Sequence, residues 1–404
     1  MQTIRLMSIS GARPNFMKLA AIAQAVDRHN QSLVALSELL PVRHIIVHTG
    51  QHYDQKMSHG FFDDLGIPRP NVNLEVGSGS HAVQTAEIMR RFEPVLMEEQ
   101  PDILLVVGDV NSTIACTLVA AKIEYPAGCH RKRPRIVHVE AGLRSFDRDM
   151  PEEINRILTD ALSDLLFVTE QSGLDNLERE GVASEKIHLV GNVMIDTLIS
   201  HLDKAHQSAA KARFGMPNHY GLVTLHRPSN VDRKHTLTPL IECLVEVAER
   251  IPLYFPVHPR TLNSIRAFGL TGYFDWSLYH DTMECQQGNS NGKPFHLMPP
   301  LGYLDFLGLV QSSGMVITDS GGIQEETTYL QIPCVTLRES TERPITVTEG
   351  SNFLTGVAPE QIRKTVDSIL SGNAKQSRIP PFWDGKAGER IVSILVGSLV
   401  NSRE

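Results

Sequence analysis

The sequence has few cysteines, and their arrangement argues against a disulfide framework or a zinc site. The 404 residues include five cysteines, an odd number, scattered without the paired spacing that zinc sites need. Disulfides form and persist mainly in oxidising compartments. We therefore expect reduced thiols, a cytoplasmic protein, and a fold that depends on apolar cores rather than on cross-links.

The sequence also lacks a net positive charge and long apolar runs. The formal net charge is -8 at pH 7, whereas a protein that binds nucleic acid needs a basic face. No apolar run reaches the roughly 20 residues that span a membrane, and residues 1–10 read as a first strand rather than a signal peptide. We therefore expect neither nucleic acid nor a membrane as a partner.

Short apolar segments alternate with helical segments along the chain. A length of 404 residues allows two or more domains, each with its own core. The predicted strands cover residues 4–10, 44–49, 103–107, 136–139, 165–169, 187–190, 220–225, 253–257, 295–298, 315–317 and 334–337. Glycine and polar or charged residues recur at their ends, which is typical of parallel sheets that bind ligands at the carboxyl ends of the strands. We predict an α/β fold with two Rossmann-like domains whose parallel sheets face each other across a cleft.

One segment joins a predicted strand to a predicted helix through two glycines. Residues 315–317 form the strand, Ser320-Gly321-Gly322 the turn, and residues 323–330 the helix. The first N–H groups of such a helix have no partner within the helix, and glycines let an anionic oxygen approach them. The segment therefore predicts a phosphate-binding turn. An ordinary glycine turn is the alternative.

Glu326 falls near the start of this helix, and we place it in the first helical turn. An acid there complements the helix dipole, which is the simpler interpretation. It can also accept hydrogen bonds from the hydroxyl groups of a ribose held beside the phosphates.

Cationic side chains accompany several of the strand ends. Arg13 and Lys18 flank the turn after the first strand, and His226 and Arg343 follow strands of the second half. Cations at such turns suit an anionic ligand, although solvated surface charges are the commoner outcome for a single lysine or arginine.

Three carboxylates follow strands of the first half: Asp109, Glu140 and Glu152. Asp109 alone is as easily explained as the cap of the next helix, and Glu152 with Glu153 as acids in a first helical turn that begins at Pro151. Binding a nucleotide requires no such set, however. Carboxylates supplied separately from the phosphate-binding half therefore indicate proton transfer.

A sugar linked to a diphosphate would use both kinds of group. When the diphosphate leaves C1, the proton on C2 becomes acidic and a placed carboxylate can remove it. Cations and helix N–H groups stabilise the departing charge, by roughly 3 kcal/mol for each well-placed donor. Return of the diphosphate, with a proton delivered to the other face, inverts C2.

The ordered motifs resemble those of the non-hydrolysing UDP-N-acetylglucosamine 2-epimerases over nearly the whole chain. The matching segments are G-A-R-P (11–14), G-Q-H (50–52), G-D (108–109), H-V-E-A-G-L-R (138–144), P-E-E-I-N-R (151–156), H-R (226–227), T-D-S-G-G-I-Q-E-E (318–326) and T-E-R-P (341–344). The resemblance implies a GT-B fold, a homodimer, and reversible conversion of UDP-N-acetylglucosamine to UDP-N-acetylmannosamine through a 2-acetamidoglucal, with no metal or nicotinamide cofactor.

The resemblance also implies domains and residue roles. We expect an acid/base domain over residues 1–196, a UDP-binding domain over 197–380, and a helix in 381–404 that returns to the first domain. The implied acid/base residues are Asp109, Glu140, Glu152 and His226, the last as the group that protonates UDP. The implied substrate-binding residues are Arg13, Lys18, Phe306, Ser320, Gly321, Gly322, Glu326 and Arg343.

The sequence departs from the family pattern in places. Asn15 stands where many relatives have a glutamate, and Leu301 where some have a uracil-binding glutamine. Of the loop that forms a second, activating substrate site in some bacterial relatives, only Gln51-His52 persists, and Tyr53-Asp54-Gln55-Lys56-Met57 diverges, which disfavours that regulation.

Four alternatives stay open at this stage. One is a 2-epimerase of a related UDP sugar, such as a 2,3-diacetamido uronate. A GT-B glycosyltransferase, a hydrolase that frees N-acetylmannosamine and UDP, and a nucleotide sensor without activity are the others.

Overall fold

The computed structural model describes residues 3–33, 40–50, 66, 68–279 and 292–400. The chain divides into two compact units, Met1–Ser200 with Pro381–Glu404, and His201–Pro380. None of the helices in the described ranges is long and apolar enough to cross a membrane.

The first unit is built on a seven-stranded parallel sheet. Its strands are β1 (Ile4–Ser10), β2 (Val42–His48), β3 (Val72–Asn73), β4 (Ile103–Val107), β5 (Arg135–Ala141), β6 (Leu165–Val168) and β7 (Ile187–Leu189), in the order β3-β2-β1-β4-β5-β6-β7. Its helices are α1 (Arg13–Ser32), α2 (His81–Glu99), α3 (Asn111–Lys122), α4 (Pro151–Leu162), α5 (Gln171–Arg179) and α6 (Val193–His206), the last of which continues into the second unit.

Both faces of this sheet are covered, which explains why the central strand β4 is a continuous apolar run. In β4, Ile103 and Leu105 lie in the core that α1 covers, whereas Leu104 and Val106 lie in the core of α2 and α3. Successive side chains of a strand point to opposite faces, so each face of a sheet buried on both sides needs apolar residues.

The second unit repeats this plan with six parallel strands. They are β8 (Gly221–Thr224), β9 (Leu253–Pro256), β10 (Phe295–Met298), β11 (Met315–Thr318), β12 (Cys334–Thr336) and β13 (Asn352–Leu354), in the order β10-β9-β8-β11-β12-β13. Its helices are α7 (Ala210–Arg213), α8 (Pro228–Val231), α9 (Lys234–Ala248), α10 (Pro259–Ala267), α11 (Tyr303–Gln311), α12 (Gly321–Leu330), α13 (Pro344–Thr348) and α14 (Pro359–Leu370).

The last helix, α15 (Ala387–Val400), belongs to the first unit and packs on α1. Its apolar residues recur every fourth position, and Gly388 lets it approach closely, since a Cβ there would lie 2.8 Å from the Ala21 carbonyl oxygen. Asp196 in α6 caps it by accepting hydrogen bonds from the backbone N–H groups of Ala387 at 3.1 Å and Gly388 at 2.7 Å.

Strand order reverses once in each sheet, at β1/β4 in the first and at β8/β11 in the second. Ligands of open parallel sheets bind outside the carboxyl ends of the strands at this switch point. The predicted α/β fold with two Rossmann-like sheets, as in the GT-B class, is confirmed. Two short strands were not predicted: β3 has two residues and β13 has three, too few to give a pattern.

Candidate active site

The predicted site residues fall into two groups, one in each compact unit. The first unit holds the cation Lys18 and the carboxylates Asp109, Glu140 and Glu152. The second unit holds His226, Phe306, the Ser320-Gly321-Gly322 turn, Glu326 and Arg343. The side chain of Arg13 and the residues Gln51 and His52 lie outside the described part of the chain, so their roles stay predictions.

In the first unit, Lys18 and Glu140 form a buried ion pair at the switch point of the sheet. Lys18 Nζ in α1 contacts Glu140 Oε2 at the end of β5, and both side chains are almost fully buried. Gly108, which follows β4 with φ +68°, makes room for the pair, because a Cβ there would lie 3.1 Å from Lys18 Nζ and 3.2 Å from Glu140 Oε2. Three elements therefore converge on one pair of opposite charges.

Glu140 has a backbone conformation that few residues other than glycine adopt. Its φ is +69°, and the pairing of β5 with β6 shifts register between Val139 and Ala141. Such a bulge re-aims a side chain at the edge of a sheet, and strained backbone of this kind concentrates at functional sites.

Asp109 does not cap the following helix, because the N-cap of α3 is Val110. Its carboxylate forms an ion pair with Arg156 Nη1 of α4, and its side chain is 30% exposed. The capping interpretation of Asp109 is therefore wrong. A partly exposed carboxylate beside a fixed cation is compatible with acid/base work.

The two neighbouring glutamates at the start of α4 have different environments. Glu152 is exposed, whereas Glu153 is buried and accepts hydrogen bonds from the backbone N–H groups of Ser145 at 3.0 Å and Phe146 at 2.9 Å. Burial raises the pKa of Glu153, but these bonds and Arg156 outweigh it and lower the pKa overall. Glu153 is therefore a fixed anion that orders the loop before α4, and Glu152 is the accessible carboxylate.

The hydrogen bonds of Asn15 show why an amide suits this position, where many relatives have a glutamate. Its Oδ1 accepts a hydrogen bond from the Ala12 N–H at 2.8 Å, while its Nδ2 donates to the Val107 carbonyl at 2.9 Å. A carboxylate accepts hydrogen bonds but cannot donate when ionised. The amide therefore ties the start of α1 to the end of β4, which a glutamate would not do in this arrangement.

In the second unit, His226 is oriented by Asp319. His226 Nδ1 lies 3.0 Å from Asp319 Oδ1, and the same carboxylate accepts hydrogen bonds from the backbone N–H groups of His226 and Arg227. Burial raises the pKa of Asp319, but the His226 side chain and the backbone N–H groups of His226 and Arg227 together lower the pKa overall. Because His226 is 44% exposed, its other ring nitrogen can serve a ligand. Asp319 was part of a predicted motif, but its partner lies 93 residues away.

The predicted glycine turn is present and lies beside Arg343, and its phosphate-binding role stays a prediction. Helix α12 begins at Gly321, two residues earlier than predicted, with Ser320 as its N-cap. A Cβ at Gly321 would lie 2.7 Å from Arg343 Nη1. Arg343 is held by ion pairs with Glu325, at 2.8 Å, and with Glu342. A glycine and a fixed guanidinium therefore meet at a helix N-terminus, where an anion binds well.

Glu326 lies in the second turn of α12, not in the first as predicted, because the helix begins at Gly321. The dipole interpretation therefore loses its basis. Glu326 is 5% exposed and accepts a hydrogen bond from the Tyr303 hydroxyl at 3.1 Å. Burial raises its pKa to about 7; Tyr303 opposes this shift and Glu325 adds to it.

Phe306 lies on the same helix as Tyr303, three residues further along α11. It packs, partly buried, against an apolar cluster that Leu301 and Ile323 also contact. Residues three apart share a helix face. The spacing from Phe306 could therefore have identified Tyr303 as a further residue of the candidate nucleotide site.

Most of the chain matches one family of known proteins. Residues 35–396 match the family model described as UDP-N-acetylglucosamine 2-epimerase. The UDP-N-acetylglucosamine 2-epimerase of Methanocaldococcus jannaschii is 40% identical over 398 residues, which cover 97% of this chain and 99% of that protein. The UDP-2,3-diacetamido-2,3-dideoxy-D-glucuronate 2-epimerase of Pseudomonas aeruginosa is 38% identical and covers the same shares.

A solved structure agrees with the sequence relatives. The crystal structure of the M. jannaschii UDP-GlcNAc 2-epimerase in complex with UDP-GlcNAc and UDP matches with a TM-score of 0.80 at 38% identity, covering 97% of this chain and 99% of that one. The motifs, the two sheets and these similarities lead to one conclusion: the chain belongs to the UDP-N-acetylglucosamine 2-epimerase family.

Proposed function

We propose that this protein catalyses the reversible epimerisation of UDP-N-acetylglucosamine to UDP-N-acetylmannosamine at C2. In the proposed reaction, a carboxylate of the first unit takes the proton from C2, and the electrons of the C2–H bond form a C1=C2 double bond. The bond from C1 to the UDP oxygen breaks, UDP leaves with its bonding electrons, and a 2-acetamidoglucal forms. UDP then adds back to C1 while a proton reaches C2 from the opposite face.

The second unit supplies groups suited to the nucleotide. Gly321 and Arg343 lie together at the N-terminus of α12, where N–H groups and a guanidinium can hold a diphosphate. Glu326 is a buried acceptor for ribose hydroxyl groups, and we assign Phe306 to the uracil. His226, oriented by Asp319, is the candidate acid for the departing UDP.

The first unit supplies groups suited to proton transfer. The observation that carries the proposal is the buried Lys18–Glu140 pair at a strained bulge, adjacent to the loop that bears Asp109. Inversion at C2 needs acid/base groups on both faces of the sugar, and Asp109, Glu140 and Glu152 provide more than one. Lys18 contacts Glu140 here, so its predicted role beside the diphosphate stays a prediction.

Deuterium incorporation tests the proposal directly. The purified protein is incubated with UDP-N-acetylglucosamine in D₂O, without added metal, and the sugars are followed by NMR and mass spectrometry. We expect a second nucleotide sugar with deuterium at C2, together with some free UDP. Recovery of unlabelled starting sugar alone would contradict the proposal.

A 2-epimerase of a UDP-2,3-diacetamido uronate is the second candidate, because the P. aeruginosa relative of that name is 38% identical over 97% of this chain. The two candidates share the chemistry at C2 and differ in the substituents at C3 and C6. Measurement of kcat/KM for both sugars, followed by competition in one reaction, separates them. We expect the higher kcat/KM for UDP-N-acetylglucosamine.

A further inference from the structure

A buried histidine and a buried aspartate contact each other in the first unit, on the same elements that bear candidate carboxylates. His138 in β5 and Asp160 in α4 are both almost fully buried, with His138 Nδ1 2.6 Å from Asp160 Oδ1. The other ring nitrogen, His138 Nε2, lies 2.9 Å from the Gly108 carbonyl oxygen. Neither residue has a part in the proton transfers proposed above.

The geometry requires two N–H donors on the ring. A carbonyl oxygen and a carboxylate both accept hydrogen bonds, whereas a neutral imidazole carries one N–H and an imidazolium carries two. His138 therefore satisfies both contacts only when it is protonated. The ring is then the cation of a buried, hydrogen-bonded ion pair.

The charges around the pair support this assignment. Asp160 Oδ2 also accepts from the Gly142 N–H at 3.0 Å and lies 2.8 Å from Arg144 Nη2. Arg144 in turn contacts Glu180 at 2.7 Å. Burial raises the pKa of Asp160, but His138, Arg144 and the Gly142 N–H lower it overall, so the carboxylate is ionised.

The pair connects the elements that bear all three carboxylates. Gly108 immediately precedes Asp109, and His138 lies two residues before Glu140 on β5. Asp160 lies on α4, about two helical turns beyond Glu152. The N–H of Gly142, which follows the Glu140 bulge, is bound to the same carboxylate. One pair therefore fastens two loops and a helix.

We propose that His138 and Asp160 are a positioning pair, which holds Asp109, Glu140 and Glu152 in the arrangement that proton transfer at C2 requires; this rests on the function proposed above. Burying two charges is costly even when they are paired, and apolar residues often stabilise a core as well. We infer that the pair is retained because it fixes the positions of the carboxylates. An error of about 1 Å in the position of a catalytic group can lower the rate by ~10²-fold.

Asp160→Asn tests the pair by keeping its shape and removing its charge. We expect kcat to fall by roughly 10²-fold while KM and the Kd for UDP change less than about twofold, since the nucleotide groups lie in the second unit. Asparagine stabilises the imidazolium less than aspartate does, so the variant favours the neutral ring, which cannot donate both hydrogen bonds. The variant should therefore lose activity as pH rises and recover part of it at lower pH.

Glu180→Gln is the matched control, because it alters the Arg144 side of the network without touching His138. It should retain the wild-type kcat within about threefold and the wild-type pH profile. A role in stability alone would lower the melting temperature of Asp160→Asn but leave the pH profile of its folded fraction unchanged. That result would overturn the proposal, as would wild-type kcat in this variant.

A measurement on the wild-type protein covers the case in which the variant does not fold. In protein labelled with ¹⁵N at histidine, His138 should show two protonated ring nitrogens, identified by their absence in His138→Gln or by through-space contacts. A neutral ring would refute the pair. Absence of C2 deuterium exchange in wild-type protein would instead refute the proposed function, so the two failures are distinguishable.

Discussion

The Arg156 guanidinium joins the Asp109 carboxylate to helix α4 although the two residues are 47 positions apart in sequence. The same guanidinium binds Glu153 Oε2 through Nη2 at 2.7 Å and Nε at 3.0 Å. Glu153 in turn holds the backbone of Ser145 and Phe146. One buried cation thus sets the position of Asp109 and of the loop before the helix.

Removal of Arg156 should destabilise the protein strongly. Arg156→Gln leaves Glu153 buried without its cation, and we expect a loss of about 3 kcal/mol in the free energy of unfolding. Urea denaturation measures it. In the double variant Arg156→Gln/Glu153→Gln much of that loss should be recovered, because the uncompensated charge is gone. Additive losses would show that the two side chains act independently.

Neutral replacements of the candidate acid/base residues should stop turnover without preventing folding. Asp109→Asn and Glu140→Gln should each lose at least ~10²-fold in kcat while binding UDP as tightly as the wild-type protein. Asp27→Asn and Glu185→Gln, at exposed positions of the same unit, are matched controls and should be nearly unchanged. Rates close to wild type in either candidate variant would reassign that residue to a structural role.

The ionisation of Glu326 should make the ligand-free protein less stable as pH rises. Its pKa is raised to about 7 in the folded protein, from 4.5. The folded state therefore keeps a proton that the unfolded chain releases, so stability falls as pH rises through this window and the cost is fully present above pH 7. Glu326→Gln removes that cost. At pH 8 we therefore expect the free energy of unfolding of the variant, measured by urea denaturation, to be about 3 kcal/mol larger than that of the wild-type protein.

The advantage of the wild-type protein over Glu326→Gln in UDP affinity should grow as pH rises, whereas its stability relative to the variant should fall. The ionised carboxylate makes stronger hydrogen bonds to hydroxyl groups than a neutral amide does. The ratio of wild-type to Glu326→Gln affinity should therefore rise as pH passes 7, as isothermal titration calorimetry can measure. A ratio independent of pH would remove Glu326 from the ribose site.

A methyl group at Gly321, in the turn that we propose binds phosphate, should weaken nucleotide binding. In Gly321→Ala the new Cβ would lie 2.7 Å from Arg343 Nη1 and 3.0 Å from Glu342 Oε1, so the guanidinium must move. We expect the Kd for UDP to rise at least ~10-fold, since a charge-assisted bond to phosphate is lost. Gly397→Ala has no neighbour within 4 Å of its new Cβ and is the control. Equal affinities for the two variants would contradict the assignment.

Much of the fold could be predicted from local sequence. The all-apolar run of β4 indicated a strand buried on both faces, and Pro151 marked the first residue of α4. The glycines at 108 and 321 marked turns that the structure places at the switch points of the two sheets. Hydrophobic periodicity, helix starts and glycine turns depend on residues that are close in sequence, so they can be predicted without the tertiary structure.

The partners of the site residues depended on tertiary structure. Without the family resemblance, residue types and spacing could not separate Glu152 from Glu153, because both fit a first helical turn and only the packed loop before α4 buries one of them. It also offered no reason to join His138 to Asp160, or Tyr303 to Glu326. These contacts link segments that are distant along the chain, and the burial of His138, Asp160 and Glu326 exists only after the sheets and helices have assembled.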